Sequence, residues 1–275
     1  MNKTTLRPRL IVFLAFLLSA PFVGPIVAAE RPATLRVLCY NIHFGQGMDG
    51  EYNVARLAEV IKKHKPDLVA LQEIDVGVER SGREHQIRML GKMTGMASRY
   101  GPTQHYQGGL YGNGVLSRLP ILDVAIHPLP YTEATKEKVT YPRGCIAVTV
   151  RGPEGRPLRF VSTHFQHNVS EDRLAEAKKI NQLFAGKGGN IPTILAGDMN
   201  ATPDSDPMKE LHKQWTNAMN DPPAPTAPSR KPRSRIDYIL FRPAKSFRLV
   251  ETKVIAEEMA SDHRPVLAVF ELARP

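Results

Sequence analysis

TILAGDMNATPDS, residues 193–205, is the stretch on which the reading of this chain turns. Its first residues, 193–197, are β-branched, apolar or small, and the run is as short as a buried strand. Gly197 permits a tight bend and Asp198 ends the strand. Asp198 and Asn200 flank Met199, so on an extended backbone they project to one side. One can accept a proton or a hydrogen bond, while the other can donate its amide to a phosphoryl oxygen. An Asx-turn between strand and helix is the plainer account of the same residues. Polar groups that begin where an apolar strand stops are the groups a rigid scaffold presents to a cleft.

The same punctuation recurs outward from this run. LRVLCYNI (35–42) carries Asn41 near its end, LVALQ (68–72) delivers Glu73 at its end, and LRFVSTH (158–164) ends in His164. IDYILF (236–241) opens with Asp237 nearby, and PVLAVFE (265–271) follows Asp262 and His263. Carboxylates, carboxamides and imidazoles at so many strand ends predict one shared site. Oxygen donors of this kind suit a hard cation such as Mg²⁺, or Mn²⁺. No HExxH occurs, and neither Cys39 nor Cys145 belongs to a CxxC pair, so zinc spacing is absent. Asp262 and His263 are adjacent and should diverge in an extended chain. Asp262 is then expected to meet a metal or water and His263 the scissile group, with Asp237 orienting His263 from a neighbouring strand.

Helices are predicted over 53–64, over 84–93, and from a capping Ser170 through about Phe184. Strands are predicted at 113–118 and 144–150, the latter in a hairpin with 158–164. Residues 221–235 read as a Pro-rich basic loop. Strands and helices mix without strict alternation, which predicts an α/β fold of packed mixed sheets with outer helices rather than a doubly wound sheet.

The chain has 275 residues, 42% hydrophobic and 23% charged, which excludes disordered, collagenous and repeat classes. Its first 29 residues read as a signal peptide: Lys3, Arg7 and Arg9 precede the apolar run Leu10–Leu18, and Val27–Ala29 offer small residues for cleavage. Pro21, Gly24 and Pro25 interrupt the apolar segment, which argues against a retained membrane anchor. Export to the periplasm or beyond is the expectation, with one catalytic domain over 30–275. The formal charge is +10; the leader holds three basic and no acidic residues, leaving 34 basic against 27 acidic, or +7. That excess favours anionic partners. The two cysteines are read as isolated buried thiols, and the chain as a monomer with no obligate protein partner.

Seven motifs occur in order: YNIHFG (40–45), LVALQEID (68–75), GNGVLSRLPI (112–121), STHFQH (162–167), AGDMNATPDS (196–205), RIDYIL (235–240) and SDHRPV (261–266). Together they resemble the endonuclease/exonuclease/phosphatase superfamily, which includes deoxyribonucleases, abasic-site endonucleases, inositol-polyphosphate phosphatases and neutral sphingomyelinases. The resemblance implies a four-layered α/β sandwich, two mixed sheets face to face with outer helices, and a divalent-metal phosphoesterase. It implies Glu73 as the principal metal carboxylate, assisted by Asn41 and Asp262. It implies Asp198 and Asn200 as the pair positioning nucleophile and phosphate, Asp237 with His263 as the general-base pair, and His164 as a second catalytic histidine. Arg143, in YPRGC, is a candidate for substrate phosphate, and His43 is expected behind the site rather than on the metal. Nucleic acid and phospholipid headgroups are the expected substrate classes; small sugar or inositol phosphates, or a phosphate-binding module without chemistry, are the alternatives.

Overall fold

The computed structural model describes Met1 and residues 34–186, 191–219 and 224–273. Apart from Met1, the expected leader lies outside the described residues, as do 221–223 of the Pro-rich loop. In chain order the main elements are β1 (Thr34–Asn41), α1 (Val54–His64), β2 (Leu68–Val76), α2 (Gln86–Thr94), β3 (Ala97–Tyr106), β4 (Gly109–Ser117), β5 (Ile121–Pro128), β6 (Gly144–Arg151), β7 (Pro157–His164), α3 (Ser170–Phe184), β8 (Thr193–Asp198), α4 (Asp206–His212), β9 (Thr216–Asn217), β10 (Asp237–Arg242), β11 (Phe247–Val254) and β12 (Val266–Leu272).

The strands form two six-stranded sheets, ordered β11-β12-β1-β2-β4-β3 and β5-β6-β7-β8-β10-β9. Each sheet has one parallel pair, β1 with β2 and β7 with β8, inside antiparallel neighbours. A parallel pair needs a crossover, and α1 and α3 supply the two. Asn53 starts α1 by accepting a hydrogen bond from Arg56 N (2.9 Å), and Lys65 in left-handed conformation closes it before Pro66. Ser170 does not cap α3 as expected; it is the first helical residue, and Val169 takes the cap position with no side-chain bond.

Strand alternation builds the layers. Val37 and Cys39 of β1 face an inter-sheet core with Val148, Phe160 and Phe270, while Leu38 and Tyr40 face outward onto Leu57 and Ile61 of α1. On the far side, Val161 and Leu195 pack against Ile180 of α3 and Met208 of α4. The result is the four-layered α/β sandwich expected from sequence. Cys39 and Cys145 are both buried and unpaired.

Register explains where the polar residues go. In the second sheet Asp237 lies opposite Asp198, Asp198 beside His164, and His164 opposite Gly144, one row across four strands at one rim. In the first sheet Asn41 lies beside Gln72, next to Glu73, at the same rim. Glu73 does not end its strand as expected: β2 runs on to Val76, and the pairing with β4 shifts between Leu71 and Ile74. Glu73 sits in that bulge with φ 62°, a left-handed conformation in a non-glycine residue. A bulge rotates one side chain out of the pleat, and strained backbone of this kind gathers at functional sites.

Candidate active site

Asn41, at the end of β1, is the joint of the site. Its amide nitrogen donates to Glu73 Oε1 and to Asp198 Oδ2, both at 3.1 Å, linking the two sheets. Its oxygen accepts from His43 N at 3.0 Å. So oriented, Asn41 presents donors to two carboxylates, and its one ligating oxygen is engaged by backbone.

Asp198 and Asn200 reach the cavity by a different route from the extended backbone expected. Asn200 has φ 47°, and its N–H bonds Asp198 Oδ1 at 2.9 Å, so the Asx-turn and the site are made by the same residues. The turn folds Asn200 back, and its amide nitrogen donates to Phe165 O (3.0 Å) and lies 3.0 Å from His164 Nε2. Asp198 is buried, and burial first, then the charge of Asp237, pushes its carboxyl up to about 7.

The pair expected to act as general base spans the sandwich. His263 Nδ1 meets Asp237 Oδ2 at 2.9 Å, and Nε2 lies 3.8 Å from Asp198 Oδ2. Asp237 comes from β10 in the opposite sheet rather than from a neighbouring strand. Ser261 ties the segment in place: its hydroxyl donates to Asn41 O (2.8 Å) and accepts from His263 N (3.2 Å). The chain bends at Asp262 and His263, so the two side chains do not diverge; Asp262 Oδ1 lies 4.0 Å from His263 Nε2 and 3.9 Å from His43 Nδ1. Asp262 stands at the outer edge, more than a third exposed, and His43 lies beside it, bonded through Nδ1 to Gln46 O.

The two histidines are biased in opposite directions. Burial would lower His263, but Asp237 and Asp198 outweigh it and hold the imidazole well above its ordinary value. Burial, reinforced by Arg143 and by His263, drives His164 well below. Arg143 Nη1 reaches His164 Nδ1 at 3.3 Å, and an arginine can only donate. The Asn200 amide nitrogen, also a donor, faces Nε2 at 3.0 Å, so the neutral ring has a donor at each nitrogen, with Asp198 Oδ2 3.4 Å from Nε2.

Arg143 is itself buried. Its other partner is His167 Nδ1 at 3.5 Å, and Nε has no partner among the described residues. A buried guanidinium with imidazoles for company lacks a counter-charge, as a group awaiting an anion would. These side chains face a cavity of about 270 Å³, whose floor includes Glu73, His164, Asp198, Asn200 and His263, with Arg143 in one wall. Asp237 and Asn41 stand directly behind it, bonded to residues that line it.

The donor set fits a hard divalent cation. Asp198, Asp237 and His263 offer ligand atoms within 4.8 Å of one another. Glu73 lines the cavity with a carboxylate that receives one hydrogen bond, from Asn41, and Asp237 Oδ1 is buried without a partner among the described residues. After burial, the charge of Asp237 raises the Asp198 carboxyl, and carboxylates that close together are short of positive charge.

Fold and site together are those of a phosphoester hydrolase scaffold: a double-sheet sandwich whose acids, amides and imidazoles meet at one rim. The chain belongs to the Endonuclease/Exonuclease/phosphatase family, whose model matches residues 38–263 and whose members are phosphoester hydrolases. None of the curated proteins matches it. Among solved structures, an endonuclease/exonuclease/phosphatase from Beutenbergia cavernae DSM 12333 superimposes with TM-score 0.71 at 24% identity, covering 88% of this chain and 72% of that one. The mannosyl-6-phosphatase of Bacteroides thetaiotaomicron VPI-5482 gives 0.68 at 19% identity, over 87% of this chain and 100% of that one. The human Nocturnin catalytic domain with bound sulfate gives 0.66 at 19% identity, over 87% and 95%.

Several cavity residues carried no signal in the sequence. Arg80 comes from a turn, Gln104 and Tyr106 from the edge strand β3, Tyr111 from β4 beside it and Tyr141 from a loop. His167 is the exception: STHFQH holds two histidines three apart, and Tyr141 stacks on the second with ring centroids 5.5 Å apart.

Proposed function

We propose that this protein is an exported, divalent-metal-dependent phosphoester hydrolase in which His263, held by Asp237, takes a proton from water. The observation that carries this reading is the Asn41 bridge. One amide joins Glu73 of the first sheet to Asp198 of the second, so the expected metal carboxylate and the expected nucleophile-positioning acid face one cavity with His263. Family membership supports the reaction class. The 1–29 leader pattern supports export.

The residues have separable tasks. Glu73 would hold the cation; Asn41 would orient the Glu73 and Asp198 carboxylates through its amide, and Asp262 would add a carboxylate from the outer edge. When bound, a divalent ion neutralises charge on phosphoryl oxygens and offsets the carboxylate field around His263. Asp237 fixes His263 with Nδ1 protonated, leaving Nε2 to accept a proton from the attacking water. Asp198 lies beside that nitrogen and orients the water. Neutral His164 and the Asn200 amide lie beside the developing oxyanion, and a preorganised donor contributes about 10²–10³ in rate. Arg143 supplies fixed positive charge for the phosphate.

The test is hydrolysis of p-nitrophenyl and bis(p-nitrophenyl) phosphate with Mg²⁺, with Mn²⁺ and with EDTA, in the wild type and in His263→Ala. Metal-dependent turnover lost in the variant, with its thermal unfolding unchanged, is the expected result. A wild type that binds Mg²⁺ yet turns over no phosphoester would defeat the reading in favour of a binding module.

A further inference from the structure

The mechanism leaves one wall of the cavity without a task. Arg80 lies there, pinned on every side. Its Nε and Nη2 donate to the two oxygens of Asp75 at 2.9 and 3.0 Å, and its backbone N–H donates to Gln107 Oε1 at 3.0 Å. Its guanidinium lies 3.6 Å over the ring of Phe44, 4.7 Å from that of Tyr106 and 5.6 Å from that of Tyr111. Asp75 is fully buried beneath it. A bidentate, stacked arginine loses little freedom on binding and holds its remaining nitrogen, Nη1, in a fixed direction. Gln104 lines the same cavity, and its amide makes no hydrogen bond among the described residues.

The charge of this wall decides what it fits. Arg80 and Asp75 cancel, so the pair offers a directed donor without the net positive charge that a second phosphate would seek. The free Gln104 amide adds both a donor and an acceptor. Donors and acceptors close together, without net charge, are what hydroxyl groups require. The aromatic rings are already engaged, by Arg80 on this wall and by His167 at Tyr141 on the other, so a nucleobase finds them occupied. A cavity of about 270 Å³ lies below the roughly 300–1,000 Å³ of clefts that take drug-sized ligands. It holds a phosphoryl group and one small ring.

We propose that Arg80, held by Asp75, and Gln104 form a subsite for the hydroxyl groups of a compact polyol phosphate, a monosaccharide or cyclitol monophosphate, whose phosphoryl group reaches the floor of the cavity. The proposal rests on the hydrolase reading above. In the reaction a water oxygen bonds to phosphorus and the bond from phosphorus to the polyol oxygen breaks. The water proton passes to His263 and on to solvent, the departing alkoxide takes one proton from solvent, and inorganic phosphate is the other product. Arg80 and Gln104 take no proton; they orient the alcohol.

The experiment compares kcat/KM for glucose 6-phosphate, mannose 6-phosphate and myo-inositol 1-phosphate against p-nitrophenyl phosphate, which has no hydroxyls to offer, and against a short DNA duplex. The arms separate sugar from cyclitol. The variants are Gln104→Ala and the double variant Arg80→Gln/Asp75→Asn, which keeps the buried carboxylate from standing unpaired. The expected result is preference for at least one polyol phosphate, and a polyol-to-nitrophenyl ratio that falls by about 3- to 10-fold for each hydrogen bond lost. A preference for the duplex or for p-nitrophenyl phosphate overturns the proposal, as does a ratio unmoved in both variants. Equilibrium binding of the same polyol phosphates against inorganic phosphate completes the test. If no phosphoester is turned over, the hydrolase reading falls. The subsite then stands only if the polyol phosphate binds more tightly than inorganic phosphate and both variants erase the difference; equal affinities overturn it.

Discussion

Replacing Asp237 by Asn tests the centre of the site without changing its shape. In the wild type, carboxylate and imidazole meet at 2.9 Å in a buried setting, and the carboxylates hold His263 well above its ordinary pKa. Asparagine keeps an oxygen that can accept from Nδ1–H but removes the charge. A hydrogen bond to a charged group contributes about 1.5–3 kcal/mol. Losing the charge of that partner lowers His263 from its raised position, at about 1.4 kcal/mol per pKa unit. The sign follows from the role. A base must be neutral to act, a raised pKa keeps it protonated to higher pH, and removing the cause lets the neutral form appear at lower pH. The acidic limb of kcat/KM therefore moves to lower pH, while the plateau falls by up to about 10²–10⁴ as the ring loses its orienting charge. Asp198, 3.8 Å from Nε2, remains and keeps the shift from being larger. The assay is p-nitrophenyl phosphate hydrolysis across the pH range at saturating Mg²⁺, with circular dichroism to confirm the fold. An unmoved limb with an undiminished plateau would refute the assignment of His263 as base and Asp237 as its partner.

Other perturbations probe the metal, the packing and the buried acids. Glu73→Gln should abolish the thermal stabilisation by Mg²⁺, about 2.7 kcal/mol at a concentration one hundred times Kd, and a variant that keeps the wild-type shift would remove Glu73 from the metal site. Gly197→Ala would place a Cβ 2.2 Å from Thr163 O, between two parallel strands; urea unfolding should show a loss of at least about 1–3 kcal/mol. Burial pushes Glu176 up to about 8 from 4.5, and its Oε2 accepts from Gln166 N at 2.9 Å. Its stabilising contribution is complete below pH 4.5 and is lost as pH rises through about 8, so Glu176→Gln should flatten the decline of stability across that window. Burial also pushes the Cys145 thiol up to about 12 and raises Cys39 further from reach, so an aromatic disulfide reagent should label neither until the chain unfolds.

How much of this was legible in the sequence depended on burial. β1, β6, β7, β8, β10 and β12 are interior strands, and their apolar runs stand out. β3, β5 and β11 escaped because they are edges: each is half exposed and mixes polar residues into its alternation, so no apolar run marks it. The two βαβ units were hidden for a related reason, since hairpins interrupt the alternation that would have announced them. At the site, residues on strand ends were readable because polarity changes abruptly there. Glu73 was recognised while its bulge was not, because a one-residue register shift leaves no trace in composition. Arg80 and Gln104 were unreadable: an arginine in a turn and a glutamine on an edge strand are what a solvated surface would also contain, and only the buried partner Asp75 distinguishes the former.

The arrangement also explains why two histidines in one cavity can hold opposite protonation states. His164 ends β7, on the side of its row that faces Arg143; His263 comes from the other sheet and meets Asp237 at the far end of that row. Asp198 lies between them, within 3.8 Å of both imidazoles. Burial disfavours charge on both rings, and the neighbours decide between them: a guanidinium next to His164 disfavours a second cation, and Asp237 with Asp198 favours one at His263. Register fixes those neighbours, because Gly144, beside Arg143, and Asp237 are the two ends of the row that passes through His164 and Asp198. The imidazole that stays neutral and the imidazole that favours a proton are thus separated by strand pairing, and His263 reaches its carboxylate only when the two sheets are packed together.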